Sequence, residues 1–407
     1  MSSFTWLDYS ERERQQVMEV IELFREEDTR DELGIGSIRD TLADLLFPGT
    51  STVQTRLRYF LFVPWVMQEM ERRRVASHDA GRQSRRLQGR LCDALKAESA
   101  GAGAEGIIGA LAGAHVQRLP SNVYWNGLGV WGVRLYPGSE AAYYQSLDGF
   151  HGRQRMAEAD ADVDVQTTNW DPALPAPPEG WLNATALELT EAEADYLVDR
   201  VRRRAGQTLL HELIERGVYV DDAVRFAWDH PATQGLPGAL AEQLTHAHNF
   251  SQLMHGAALL YNLMLAEQID RDDWVTQYRD RLAMWWDEMV ARDAAFAAWR
   301  GESFWELITE AGGRVALPTR AFVEAWREHF EAAPTVEALL GVAAVRELVA
   351  QRERRLKGKR ARIGDPRMLE KWNGASGTAP LDYRWTRPVA GYLNDLHMAL
   401  EEGGADA

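Results

Sequence analysis

Residues 237–269 run about thirty positions without a break in helical periodicity, and a chain that holds such a segment must build a core around it. At the usual helical rise the segment spans roughly 45 Å. Turning about 100° per residue, Phe250, Leu253, Met254, Ala257, Leu260, Tyr261 and Met264 fall on one face. His248, Gln252, His255 and Asn262 fall opposite, within about 80° of arc. Lys and Glu ordinarily fill a solvent face, so four uncharged polar side chains there imply a buried or half-buried polar seam. The competing reading is a metal-dependent nuclease or hydrolase site on His248 and His255. Two turns, roughly 10.5 Å of rise, separate them, so one ion would need ligands from other helices.

The rest of the chain is also helical in pattern. Ser10 with Glu13 and Thr190 with Glu193 have the S/T-x-x-E spacing of capping boxes. Residues 33–65 pack two short helical patterns around Pro48-Gly49, the punctuation of a helix-turn-helix whose second helix presents Gln54, Thr55, Arg56 and Arg58. The bland alternative packs Leu57, Phe60, Leu61, Phe62 and Trp65 inward and pairs Arg56 and Arg58 with Asp40 or Asp44. Residues 107–137 read as a winged-helix-like unit, with a turn at Leu119-Pro120 and an aromatic helix through Tyr124, Trp125 and Trp131 that Gly127 and Gly129 weaken. Residues 157–181 change character: Asp160, Asp162 and Asp164 alternate, then Pro172, Pro175, Pro177 and Pro178 follow, as in an extended arm. The arm lacks the Gly and Glu positions of a calcium loop. The expected fold is mainly α: a region 1–156 with helix-turn-helix or winged-helix-like units, the arm 157–181, and a larger helical domain 182–407.

Charge and composition narrow the function classes. A formal charge of -16 and a pI near 5.2 argue against a protein that coats nucleic acid nonspecifically. The single cysteine, Cys92, excludes an internal disulfide or a cysteine-only zinc site and suits a reducing cytoplasm. The first residues lack the pattern of a signal peptide, and no apolar run approaches the roughly 20 residues of a membrane span. Neither a cofactor nor a membrane partner is expected.

Against that acidic background stands RERRLKGKRARIGDPRMLEK, residues 352–371. Arg354, Arg355, Lys357, Lys359, Arg360 and Arg362 are the natural phosphate-contacting set, joined by Gln54, Arg56 and Arg58 of the opening block. Just downstream, WNGASGTAPLDYRW places Gly374, Gly377 and Thr378 where a backbone anion nest could form, without the Lys-Ser/Thr ending of a P-loop. The chain has 15 tryptophans, and Trp170, Trp181, Trp372 and Trp385 lie beside turn signals, where aromatic side chains suit a partner interface. A homo-oligomer is compatible with the same surfaces.

FTWLDYSERER, LFPGTSTVQTRLRYFLFVPW, LPSNVYWNGLGVWGV, HNFSQLMHGAALLYN and WNGASGTAPLDYRW together resemble an uncharacterised bacterial family classed as a domain of unknown function. Members of that family are met in gene neighbourhoods of the antiphage-defence type, beside helicases and phospholipase-D-like nucleases. The resemblance implies a non-enzymatic, nucleic-acid-associated component of a defence assembly that docks a partner enzyme such as a helicase or nuclease. A pure protein scaffold is the further alternative.

Overall fold

A computed structural model describes residues 31–99, 105–110, 118–159 and 168–405. The Ser10–Glu13 capping box and the alternating Asp160, Asp162 and Asp164 lie outside the described residues. The described chain is mainly helical. In order it forms α1 (Gly36–Leu46), α2 (Tyr59–Arg72), α3 (Ala80–Glu98), α4 (Pro120–Val130), α5 (Glu140–Ala159), α6 (Glu191–Ala205), α7 (Leu209–Glu215) and α8 (Gly238–Gln268). There follow α9 (Asp272–Ala291), α10 (Asp293–Ala297), α11 (Gly301–Glu310), α12 (Leu317–Ala332), α13 (Val336–Gly341), α14 (Ala343–Lys357), α15 (Pro366–Leu369) and α16 (Ala390–Ala405). Among the described residues there is no strand, and none of the helices is long and apolar enough to cross a membrane.

The chain divides into two compact units, each discontinuous in sequence: Met1–Leu42 with Thr245–Leu381, and Ala43–Leu244 with Asp382–Ala407. The acidic, Pro-rich arm therefore falls inside the second unit. The units part at three points: within the continuous helices α1 and α8, where composition does not change, and between Leu381 and Asp382 in an irregular segment.

The first unit is organised by α8, a 31-residue helix. Phe250, Leu253, Met254, Ala257, Leu260, Tyr261 and Met264 are buried, and so are Leu259, Leu263 and Leu265 on other faces. A helix apolar nearly all round is a core helix. Two tryptophans fasten to its backbone: Trp285 Nε1 of α9 donates to the Gln252 carbonyl and Trp326 Nε1 of α12 to that of Leu253, both at 2.8 Å. Gly256 makes the first approach possible, since a Cβ there would lie 2.2 Å from the Trp285 ring.

The second unit is organised by α2, in which Tyr59 through Met67 are all buried. Phe60 stacks on Trp131 at 4.0 Å, and Tyr59 on Tyr124 at 5.3 Å. The arm residues after 168 lie over this helix. Trp65 Nε1 donates to the Pro175 carbonyl at 2.7 Å, and the Trp181 and Phe62 rings are near parallel. At residues 132–136 the backbone makes one isolated bridge, Arg134 to Trp170, where a wing was expected. The Thr190–Glu193 capping box forms: the Thr190 hydroxyl accepts from the Glu193 amide, and the Glu193 carboxylate accepts from the Thr190 amide.

Candidate nucleic-acid interface

The basic stretch 352–371 folds as the end of α14, a 3-10 turn Gly358–Arg360 and the short α15. Gly358 ends α14 at φ +54°, a conformation that residues with a Cβ rarely adopt. The sharp turn sorts the cations by direction. Arg355, Lys359, Arg360 and Arg367 are exposed and make no ion pair among the described residues. Arg354, also exposed, pairs with Glu347 at 3.2 Å. Arg352 turns inward and caps the segment before α1, donating to the Leu33 and Gly34 carbonyls at 2.7 and 2.9 Å.

Lys357 and Arg362 also turn inward, onto a buried charge network. Glu353, fully buried, accepts from the Tyr261 hydroxyl (2.6 Å), Lys357 Nζ (2.8 Å) and the amides of Arg362 (3.0 Å) and Ile363 (2.9 Å). Glu32 accepts from Lys357 Nζ, Ser376 Oγ and, at 2.9 Å, Arg362 Nη1. Burial alone would raise the Glu32 carboxyl. Hydrogen bonds from Lys357 and Ser376, with the charges of Lys357 and Arg362, overcome it and hold the group at about 2. The loop around Ser376 closes over α8 and α9 by offering carbonyls. Gly374 accepts from the Tyr278 hydroxyl (2.5 Å), Ser376 from Asn262 Nδ2 (2.8 Å) and Thr378 from Arg281 (2.9 Å).

The candidate residues of the opening block are placed differently. Gln54, Arg56 and Arg58 precede α2 instead of lying along it. Gln54 is buried, its Oε1 accepting from the Ser51 amide and the Tyr392 hydroxyl. Arg56 donates to Asp395 at 2.8 Å, and Arg58 to Glu193 at 2.8 Å and the Ala186 carbonyl at 2.9 Å. These donors are used inside the second unit. Asp40 and Asp44 are not their partners; the acids that are come from far along the chain.

The four tryptophans are buried within their own units. Trp170 donates to Glu71, and Trp385 to the Val224 carbonyl, while Trp372 packs edge-on against Trp274 at 5.1 Å. Trp181 completes the cluster on α2.

His248 and His255 lie half-buried along α8. Burial, with Arg292 beside His248 and Arg281 beside His255, lowers them to about 3 and about 4. Both ring nitrogens of His255 are sealed from solvent, and the Thr378 backbone beside the ring offsets the cost of burial only in part. Among the described residues no group of three or more His, Cys, Asp or Glu converges as a metal site.

These shifts give a signed pH dependence. The unfolded chain protonates its histidines near 6.5, before the folded chain does, so both withdraw stability as pH falls from 6.5 toward 4 and 3. Glu32, ordinarily near 4.5, contributes stability that is complete above that pH and lost as pH falls toward 2. Asp395 opposes them: burial lifts it to about 6 despite Arg56, so ionising it on the way up costs stability. We expect urea midpoints to fall from pH 6.5 to 3, and a His255→Asn variant to flatten the upper part of that fall. An unchanged slope in the variant would mean that His255 protonates freely.

Fold and site define a mainly helical, aromatic-rich protein with an exposed basic turn mounted on a buried charge network. The chain belongs to a family of unknown function, DUF6361, whose family model matches residues 1–399. No curated protein and no solved structure matches the chain.

Glu32, Glu353, Tyr261 and Ser376 do not stand out in the sequence. One signal was available: Glu353 and Lys357 stand at i,i+4, the spacing of a helical ion pair. Glu32 carries none, because its partners lie more than three hundred residues away.

Proposed function

We propose that this protein is a non-enzymatic, nucleic-acid-associated component of a bacterial defence assembly, acting in the cytoplasm and docking a partner enzyme. The observation that supports it is the turn Gly358–Arg360, with Arg355, Lys359 and Arg360 all exposed and none joined in an ion pair among the described residues. In a chain of net charge -16, cations left unneutralised beside one another are an unusual use of charge. The overall negative charge does not forbid contact, since exposed charges are screened beyond about 8 Å at physiological salt. The turn carries no base-reading element, so it suits phosphates irrespective of sequence. The defence role and the partner enzyme rest on the family resemblance, and copurification tests them.

The phosphate contact is tested directly. Changing Arg355, Lys359 and Arg360 together to Glu should weaken duplex DNA binding alike across sequences and reduce the salt slope by about 0.9 per lost phosphate contact. The positions are exposed, so unfolding should barely change. Failure of the wild-type chain to bind at low salt would overturn the reading, as would undiminished binding by the folded triple variant.

A further inference from the structure

The donor set around Glu32 is one that receives phosphates. An ammonium (Lys357), a guanidinium (Arg362) and a hydroxyl (Ser376) all donate to its carboxylate, and Glu32 is only 8% exposed. Arg362 Nη1 lies 3.0 Å from Ser376 Oγ and 3.4 Å from the Tyr261 hydroxyl, so the donors face one point. The two carboxylates of the network are held unequally. Glu353 lies within α14 and is fixed by four donors, two of them backbone amides in the next turn. Glu32 comes from an irregular segment ahead of α1, whose backbone is tied down by Arg352 and by Asp31, which accepts from the Ile35 and Gly36 amides.

Charge is balanced only while Glu32 is in place: Lys357 and Arg362 against Glu32 and Glu353. Withdrawal of Glu32 leaves one positive charge in excess, and a phosphodiester carries one negative charge. The exposed Arg355, Lys359 and Arg360 belong to the same short stretch of chain and would draw an anion toward it.

We propose that Lys357, Arg362 and Ser376 form a phosphate site in which Glu32 is the resident, exchangeable anion. Binding of a phosphate group then releases residues 32–36. The proposal rests on the phosphate-contacting reading of the turn and adds a second, inner phosphate position coupled to the segment before α1.

The experiment uses the full chain, inorganic phosphate and a short DNA duplex, with sodium chloride at matched ionic strength as control. In wild type, phosphate should speed hydrogen exchange at the Ile35 and Gly36 amides, and chloride should not. A Glu32→Gln variant should bind phosphate at least about tenfold more tightly, because the resident carboxylate no longer competes. Adding Lys357→Gln should remove that gain. Unchanged exchange in wild type would overturn the proposal even if the variant failed to fold, and so would equal phosphate affinity in wild type and the folded Glu32→Gln chain. The two readings separate. If the duplex binds through Arg355, Lys359 and Arg360 but Ile35 and Gly36 do not respond, the inner site falls and the outer surface stands. If phosphate releases Glu32 while the duplex fails to bind, the anion site stands for free phosphate and the nucleic-acid reading falls.

Discussion

A Glu353→Ala substitution is expected to destabilise the unit that contains it by about 3–5 kcal/mol, the range found when one partner of a buried, hydrogen-bonded ion pair is removed. The Glu353 side chain is fully buried and accepts from Tyr261, Lys357 and the amides of Arg362 and Ile363. Its removal leaves a hydroxyl and two amides without their acceptor, each costing about 1–3 kcal/mol where water cannot replace it. Lys357 would keep Glu32 as a partner, which places the expected loss below a simple sum. A Glu353→Gln change retains the shape and one acceptor but turns an NH2 toward donors, so its loss should be smaller than that of alanine. Urea unfolding followed by tryptophan fluorescence measures both, since Trp285 and Trp326 report on the same unit. A loss below about 1 kcal/mol for alanine would show that water reaches the network, and would remove the electrostatic argument built on it.

What the sequence discloses here is largely local. The apolar face of α8 and its polar stripe could both be read from a 3.6-residue period, because they are properties of one helix. The lack of Lys and Glu on the stripe correctly marked His255 and Asn262 as enclosed. The seam, however, forms partly against a loop: Asn262 donates to the Ser376 carbonyl and Ser251 to that of Leu381. Residues 373–381 have no periodicity from which such a contact could be anticipated. The Thr190–Glu193 box was legible for the same local reason.

Arginines were the least legible residues. Arg56 and Arg58, beside Gln54 and Thr55, could be read either as a surface or as partners of the nearby Asp40 and Asp44. Their acids, Asp395 and Glu193, lie 339 and 135 residues further along. Topology alone makes those pairs, and the same is true of Arg362 with Glu32. The tryptophans show a related ambiguity: an aromatic residue beside a turn can anchor a partner or donate its Nε1–H to a buried carbonyl. Of the four beside turn signals, Trp385 takes the second course, and Trp65, Trp285 and Trp326 make the same kind of bond from within helices. Such contacts let aromatic side chains pack against backbone without leaving a polar atom unsatisfied, and part of the high tryptophan content is used this way.

Gly127→Ala should reverse the sign that helix propensity predicts. Alanine is ordinarily better than glycine inside a helix by about 0.5–1 kcal/mol, and on sequence grounds Gly127 only weakens α4. In the fold, a Cβ at this position would lie 2.3 Å from the Gly49 carbonyl oxygen and 2.9 Å from Phe60 Cζ. Neither neighbour can retreat. Gly49 sits at φ +81° with Trp131 so close that a Cβ of its own would be 2.5 Å from Trp131 Nε1, and that nitrogen donates to the Pro48 carbonyl at 2.9 Å. Phe60 is buried and stacked on Trp131 at 4.0 Å. The added methyl must therefore displace α4 or the 47–50 turn, and overpacking of a close-packed core costs about 1–3 kcal/mol. Gly89 of α3 supplies the control, since it is helical and exposed, and a Cβ there meets nothing within 4 Å. Gly89→Ala should stabilise the protein by about 0.5–1 kcal/mol while Gly127→Ala destabilises it, both measured by urea unfolding. If Gly127→Ala raises the midpoint as Gly89→Ala does, the close approach of α4 to the 47–50 turn is not present in solution.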